Sequence, residues 1–248
     1  MNSELESYIG SQLDGNDRDF CRRVWTTDKD IYLNRLKAIG FTDKQHVLDA
    51  GCGLGQWTDC ISKLNNKVTG IEYSDARYKF CNGIKNILQQ ENVNYVQGSI
   101  EELPFENESF DAIFSYSVVH CTDYRKSLKE FYRVLKPDGV LYFNTNGIGW
   151  FIYNLVDGHN KTENFDPRQM AIDTITNSLS YYSEGIYSPG KFLATPKNTI
   201  LKDLAALNFK TPIIGDEGTV KVNNIQTKSF FKGEYYNEEG IFEVLVRK

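Results

Sequence analysis

Residues 47–58 read VLDAGCGLGQWT. Val47 and Leu48 lead to an acid, Asp49, and glycines then stand at alternate positions, Gly51, Gly53 and Gly55. A short apolar strand, a glycine turn and a helix start in that order turn backbone N–H groups and the positive helix end toward a ligand. Glycine is needed there because a Cβ would hold the ligand off the backbone. In the dinucleotide fingerprint the third glycine stands three positions after the second. Here it stands two after, and Gln56 takes the place that pattern reserves for glycine. The loop by itself does not say which nucleotide it serves.

Working outward from the loop, the chain alternates. HVLDA, from His46, reads as a short buried strand and 56–64 as a helix; VTGIE, ending at Glu72, is a strand and 75–90 a helix. VNYVQG is a third strand, a fourth starts near Asp111, 124–135 is a helix, and 140–146 is a fifth strand after the turn residues Lys136-Pro137-Asp138-Gly139. Five strands alternating with helices imply a parallel sheet with right-handed crossovers. After Asn146 the rhythm breaks into helical stretches rich in aromatic residues. It resumes with a helix over 195–207, a strand near 211–215 and a last strand, IFEVLVRK. The expectation is an α/β, Rossmann-like, seven-stranded and mostly parallel sheet, its last strand antiparallel, with helices on both faces and a helical cap insertion. It divides into an N-terminal helical cap (1–40), a cofactor-binding core (41–147), an inserted lid over the acceptor (148–192) and the remainder of the core sheet (193–248).

Composition narrows the classes of function. With 28 Lys and Arg against 33 Asp and Glu the net charge is −5, and the basic residues are scattered, so nucleic acid is not the expected partner. The five cysteines Cys21, Cys52, Cys60, Cys81 and Cys121 form no CxxC pair, and three histidines give no zinc-ligand spacing. No metal is expected, and reduced, mostly buried thiols point to a cytoplasmic protein. The start, MNSELESYIG, has no apolar signal region, and no stretch reads as a membrane span. A monomer or homodimer fits equally.

Two acids identify the nucleoside. Glu72 ends the second strand, where a carboxylate accepts hydrogen bonds from ribose hydroxyls. Asp49 stands just before the glycines, where it would repel a pyrophosphate and attract an ammonium group. Ribose, adenine and a cationic amino-acid tail together describe S-adenosylmethionine. The chain resembles the class I S-adenosylmethionine-dependent methyltransferases of the small-molecule type, on four segments in order: VLDAGCGLGQW, GIEYSD, GSIEELPFENESFDAIFSYSVVHC and FYRVLKPDGVLYF.

That resemblance implies that Asp49, Gly51 and Gly53 line the methionine part, with Cys52, Gln56 and Trp57 in the same loop. It implies that Glu72 and Tyr73 hold the ribose and flank the adenine, that Ser99, Ile100 and Glu101 form the adenine edge, and that Ser115, Tyr116 and Ser117 lie beneath the sulfur. The family often has Asp where Ser99 stands. S-Adenosylhomocysteine would be the product and a small molecule the acceptor, with methylation expected at an oxygen of a sugar-like, phosphorylated or aromatic compound. Candidate bases are His120, after the fourth strand, and His159, in the insertion; for each, packing or solvation is the competing reading. Trp150, Tyr153, Tyr181, Tyr182 and Tyr187 are candidates for the acceptor wall, and Arg168, Lys161 and Lys191 for holding an anion. Trp57 and Trp25 read otherwise as packing.

The competing functions are N- or C-methylation of a metabolite, a non-catalytic binder of the same cofactor, and a nicotinamide oxidoreductase. SYSVVH stands where amino-methylating DNA enzymes carry Asn/Asp-Pro-Pro-aromatic, which argues against that substrate.

Overall fold

The computed structural model describes residues 3–248. Three short helices open the chain: α1 (Ser3–Gln12), α2 (Gly15–Thr26) and α3 (Lys29–Ala38). α3 starts where Asp28 accepts a hydrogen bond from Asp30 N–H at 3.0 Å, an N-cap that satisfies one of the orphan donors of the first turn. The alternation follows as β1 (His46–Ala50), α4 (Gln56–Ser62), β2 (Lys67–Glu72), α5 (Asp75–Ile87), β3 (Val93–Gln97), β4 (Phe110–Ser115), α6 (Tyr124–Val134) and β5 (Leu135–Asn146). Next come α7 (Ile148–Asp157), α8 (Pro167–Glu184), α9 (Lys197–Ala206), β6 (Ile213–Asp216), a hairpin of β7 (Glu234–Tyr235) and β8 (Glu238–Glu239), and β9 (Ile241–Arg247).

The main sheet has seven strands in the order β3-β2-β1-β4-β5-β9-β6. β1 to β5 pair in parallel, while β9 runs antiparallel to both β5 and β6. This is the expected sheet, including its antiparallel last strand. The fifth strand begins earlier than the sequence suggested. Leu135 pairs with Phe110 but Val140 with Ala112, so Lys136 to Gly139 bulge out of the ladder, with Asp138 at φ 61°.

Strand alternation sends side chains to two buried layers. Leu48, Ile113, Leu141 and Val244 pack on one face with Leu128 and Phe131 of α6 and Ile200 of α9. Val47, Phe114, Tyr142 and Leu245 pack on the other with Leu36 of α3 and Trp57 and Ile61 of α4. Covering both faces leaves the carboxyl ends of β1, β2 and β4 as the open edge where ligands bind in such sheets. β1 and β4 are neighbours whose helices lie on opposite faces, so that edge sits at the switch point. No helix among the described residues is long and apolar enough to cross a membrane.

Candidate active site

At the end of β1 the chain makes its glycine turn. Gly51, Gly53 and Gly55 have φ of 81°, 58° and 80°, a region where other residues are strained. Gly51 and Cys52 both donate their N–H to Ile71 O at 2.9 Å, which fixes the turn against β2. A Cβ on Gly51 would come 2.5 Å from Val118. Beyond the turn, Gly55 caps α4, whose first residue is Gln56. The Gln56 Oε1 is buried without a protein partner among the described residues. Trp25 donates its indole N–H to Leu54 O at 3.1 Å, so α2 is pinned to the loop, and Trp25 and Trp57 are both buried.

Two carboxylates flank this turn. Asp49 is 2% exposed, and Thr58 Oγ1 donates to its Oδ2 at 2.5 Å. Burial pushes its pKa up to about 7; the Thr58 bond pulls the other way, and the nearby Glu72 charge adds to the rise. Glu72 accepts from Gly53 N–H at 3.0 Å and, through its other oxygen, from Ser74 N–H at 2.9 Å. An ammonium group placed beside Asp49 would favour its ionised form and draw that pKa back down.

Both acids open onto a cavity of about 1310 Å³. Pockets for one drug-sized ligand are roughly 300–1,000 Å³, so this space has room for a nucleoside and a second molecule. Gly51, Cys52, Gly53, Gln56 and Trp57 line its glycine-turn end, and Glu72, Tyr73, Ser99, Ile100 and Glu101 continue the wall. Tyr73 is 79% exposed, free to lie over a bound ring. Ser99 Oγ accepts from Glu101 N–H at 3.1 Å, which bends the chain after β3 toward the cavity. Tyr116 and Ser117 line the floor, and Ser117 takes φ 59° with its N–H donating to Asn144 Oδ1.

At the far end the wall is aromatic. Trp150, Tyr153, His159 and Tyr187 come from the segment after β5, and Phe230, Phe231, Lys232 and Tyr235 come from the segment between β6 and β9. Tyr153 Oη lies 3.2 Å from His159 Nδ1, and the rings of Tyr153 and Tyr235 stack at 4.7 Å. Sequence reasoning missed the second segment altogether. Its residues show neither a helical nor a strand period, and the signal available was the Tyr236-Asn237 turn between glycines, both residues at positive φ (55° and 62°).

Seven expected residues do not reach the cavity wall. Ser115 is fully buried and donates to Ala50 O at 2.9 Å. His120 is buried behind Phe192, whose ring meets it edge-on at 5.6 Å; its Nε2 lies 3.3 Å from Asn146 Nδ2 and burial holds its pKa down near 4. Arg168 is spent on the end of α7, donating to Leu155 O and Val156 O at 3.1 Å each. Tyr181 is buried with its hydroxyl on Asp123 at 2.7 Å, and Tyr182 donates to Ala194 O at 3.0 Å. Helical phase explains the tyrosines: on α8 they turn toward α6 and the 193–195 segment rather than toward the cavity. Lys161 and Lys191 are likewise paired, with Asp166 and Asp173.

A buried charge cluster stands behind the floor. Arg35 of α3, fully buried, donates to Glu217 at 2.7 Å, to Glu243 at 3.2 Å and to Lys228 O at 2.5 Å. Glu217 also accepts from Tyr116 Oη at 2.7 Å and from the N–H groups of Phe230 and Phe231 at 2.6 and 3.2 Å. One cation therefore faces two carboxylates, and burial pushes the Glu243 pKa up.

Residues 48–143 match the family described as "Methyltransferase domain". A demethylmenaquinone methyltransferase of Staphylococcus aureus is 37% identical over 110 residues, 43% of this chain and 45% of that enzyme. The match thus covers about half the length of the curated relatives. Among solved structures, an S-adenosylmethionine-dependent methyltransferase from Aquifex aeolicus superposes with a TM-score of 0.56 at 16% identity, covering 94% of this chain and 99% of that one. The [4+2]-cyclase SpnF superposes with a TM-score of 0.59 at 16% identity, covering 89% and 80%. At such identities these two establish the fold alone. Residues 48–143 thus match a methyltransferase domain, and the chain as a whole shares the fold of these two structures.

Proposed function

We propose that this protein is an enzyme that transfers a methyl group from S-adenosylmethionine to an oxygen of a small molecule. The observation that carries the reading is one cavity with two unlike ends: buried Asp49 and Glu72 around a glycine turn at one, and a Tyr153–His159 pair among aromatic rings at the other. When bound, the cofactor supplies a methyl group on a positively charged sulfur, which passes to the acceptor oxygen as the sulfur–carbon bond breaks.

The chain's own residues do the rest. Asp49 pairs with the ammonium of the amino-acid tail, Glu72 accepts from the ribose hydroxyls, and the unpartnered Gln56 Oε1 takes a donor from the same ligand. Ser99, Ile100 and Glu101 bound the adenine. Ser117 and the backbone at the end of β4 lie under the reacting centre. With His159 Nδ1–H donating to Tyr153 Oη, Nε2 keeps its lone pair and accepts the acceptor's hydroxyl proton. His120 is set behind Phe192 and serves as packing in this scheme. Trp150, Tyr153 and Tyr235 exclude water from the reacting end, and holding the two reactants in line lowers the barrier by about 7–11 kcal/mol.

The named relative favours a second reading of the acceptor, demethylmenaquinone itself, over a stretch that spans 43% of this chain. Calorimetry with S-adenosylhomocysteine tests the cofactor end. Turnover assays with hydroxylated acceptors and with demethylmenaquinone decide between the two. Absence of heat on mixing with S-adenosylhomocysteine would refute the whole reading.

A further inference from the structure

We infer that the far end of the cavity is built for a planar aromatic anion, of the hydroxybenzoate class, with its ring among Trp150, Tyr153, Phe231 and Tyr235 and its carboxylate at Lys232. The inference rests on the reading above and narrows its acceptor.

Shape comes first. Trp150 meets Phe231 at 5.6 Å, Tyr235 at 5.5 Å and Tyr153 at 5.8 Å between ring centroids, and all four rings line the cavity. Rings at these separations leave flat faces and edges that favour another flat ring by offset or edge contacts. A polyol of similar size would fare worse on these ring faces, and two of the hydroxyls among them already have partners. Tyr153 Oη faces His159, and Tyr235 Oη accepts from Lys232 N–H at 3.2 Å. Sugar hydroxyls set against these ring faces would lose water to apolar surface.

Charge comes second. The acids on the cavity wall are Asp49, Glu72 and Glu101, which belong to the strand ends on the cofactor side; Glu101 accepts from Asp123 N–H at 3.1 Å. The cations offered by the segment after β5 are engaged elsewhere: Arg168 on carbonyls of α7, Lys161 and Lys191 on aspartates. Lys232 lines the cavity beside Phe231, and its ammonium has no acidic partner within 4 Å among the described residues. An aromatic box alone would suit a quaternary ammonium. The Lys232 charge in its rim repels a cation and attracts an anion instead.

Chemistry comes third. The Tyr153–His159 pair stands at the edge of the same ring cluster, with His159 5.8 Å from Trp150. A ring carrying a carboxylate at Lys232 and a hydroxyl toward that pair matches both the charge and the hydrogen-bonding pair of this end.

The test is calorimetry on the full chain with four probes: 3,4-dihydroxybenzoate, neutral catechol, the saturated analogue 3,4-dihydroxycyclohexanecarboxylate, and choline. Each is titrated with and without saturating S-adenosylhomocysteine. Dihydroxybenzoate is expected to bind tightest, and K232Q to weaken it about tenfold while changing catechol by less than about twofold. Trp150→Leu is expected to weaken both aromatic probes. Affinity for S-adenosylhomocysteine stays unchanged in both variants, which checks their folding. The inference is overturned by dihydroxybenzoate failing to bind in either condition, by the saturated acid or choline matching it, or by K232Q leaving its affinity intact. Failure of S-adenosylhomocysteine to bind sinks the methyl-transfer reading instead, and the titrations without it still decide the ring site.

Discussion

Thr58 donates its hydroxyl to Asp49 across 2.5 Å, so a residue in the first turn of α4 holds the carboxylate that ends β1. The two are nine positions apart, with the whole glycine turn between them. Strand, turn and helix are closed into one ring of contacts around a buried acid.

From that acid comes a pH dependence. The unpaired carboxyl has its pKa near 7, and pairing with an ammonium lowers it, so binding S-adenosylhomocysteine below pH 7 expels a proton. Affinity is expected to rise about tenfold per pH unit from 5 to 7 and to level off above. Asp49→Asn weakens binding by roughly 10- to 100-fold and flattens the profile. Calorimetry at several pH values, in buffers of different ionisation heat, measures both; an unaltered slope in the variant refutes the assignment.

The same group affects stability in the opposite sense from the histidines. Asp49 has its folded pKa raised, so its contribution is complete below its unfolded value, near 3.8, and is lost as pH rises through about 7. His46 and His120 have folded pKa values lowered to about 4, so their contribution is complete above the unfolded value of 6.5 and is lost as pH falls through about 4. Comparing the urea stability of wild type and Asp49→Asn at pH 5 and pH 8 isolates the first effect. The variant is expected to gain relative stability at pH 8.

Gly51→Ala places a methyl group against Val118 and forces a strained φ. The left-handed conformation costs about 1–2 kcal/mol and the overpacking about 1–3 kcal/mol. Thermal unfolding is expected to show that loss, and S-adenosylhomocysteine affinity to fall with it. Val118→Ala in the same chain should restore part of the stability and little of the binding.

His159 and Tyr153 divide turnover from binding. His159→Gln is expected to slow methyl transfer by about 10²–10⁴-fold without changing cofactor affinity, and Tyr153→Phe to slow it less. His120→Gln, which alters a side chain outside the cavity, is expected to act on stability instead. Equal turnover losses at His120 and His159 would refute the proposed division.

Much of the sheet was legible because period-two apolar runs and glycine stops are local signals; the two acids flanking the loop were legible for the same reason. Tyr181 and Tyr182 show where local reading failed. Their sequence neighbourhood is as aromatic as that of Trp150 and Tyr153, and which face of a helix meets the cavity depends on packing between distant elements. Phe231, Lys232 and Tyr235 were invisible for another reason: the segment has no period of its own and is held in place by Glu217, Arg35 and the turn at Asn237. Arg35 itself reads as one more surface cation of a helix, and nothing near it in sequence announces two buried glutamates.

Arg35 also carries a practical lesson for anyone redesigning the protein. The far wall of the cavity is fastened, through Glu217 and the Lys228 carbonyl, to a helix nearly two hundred positions earlier in the chain. Trimming the opening helices to obtain a tidier core would unhook that wall, and a shortened chain that still folded would have lost the shape of that end of the cavity.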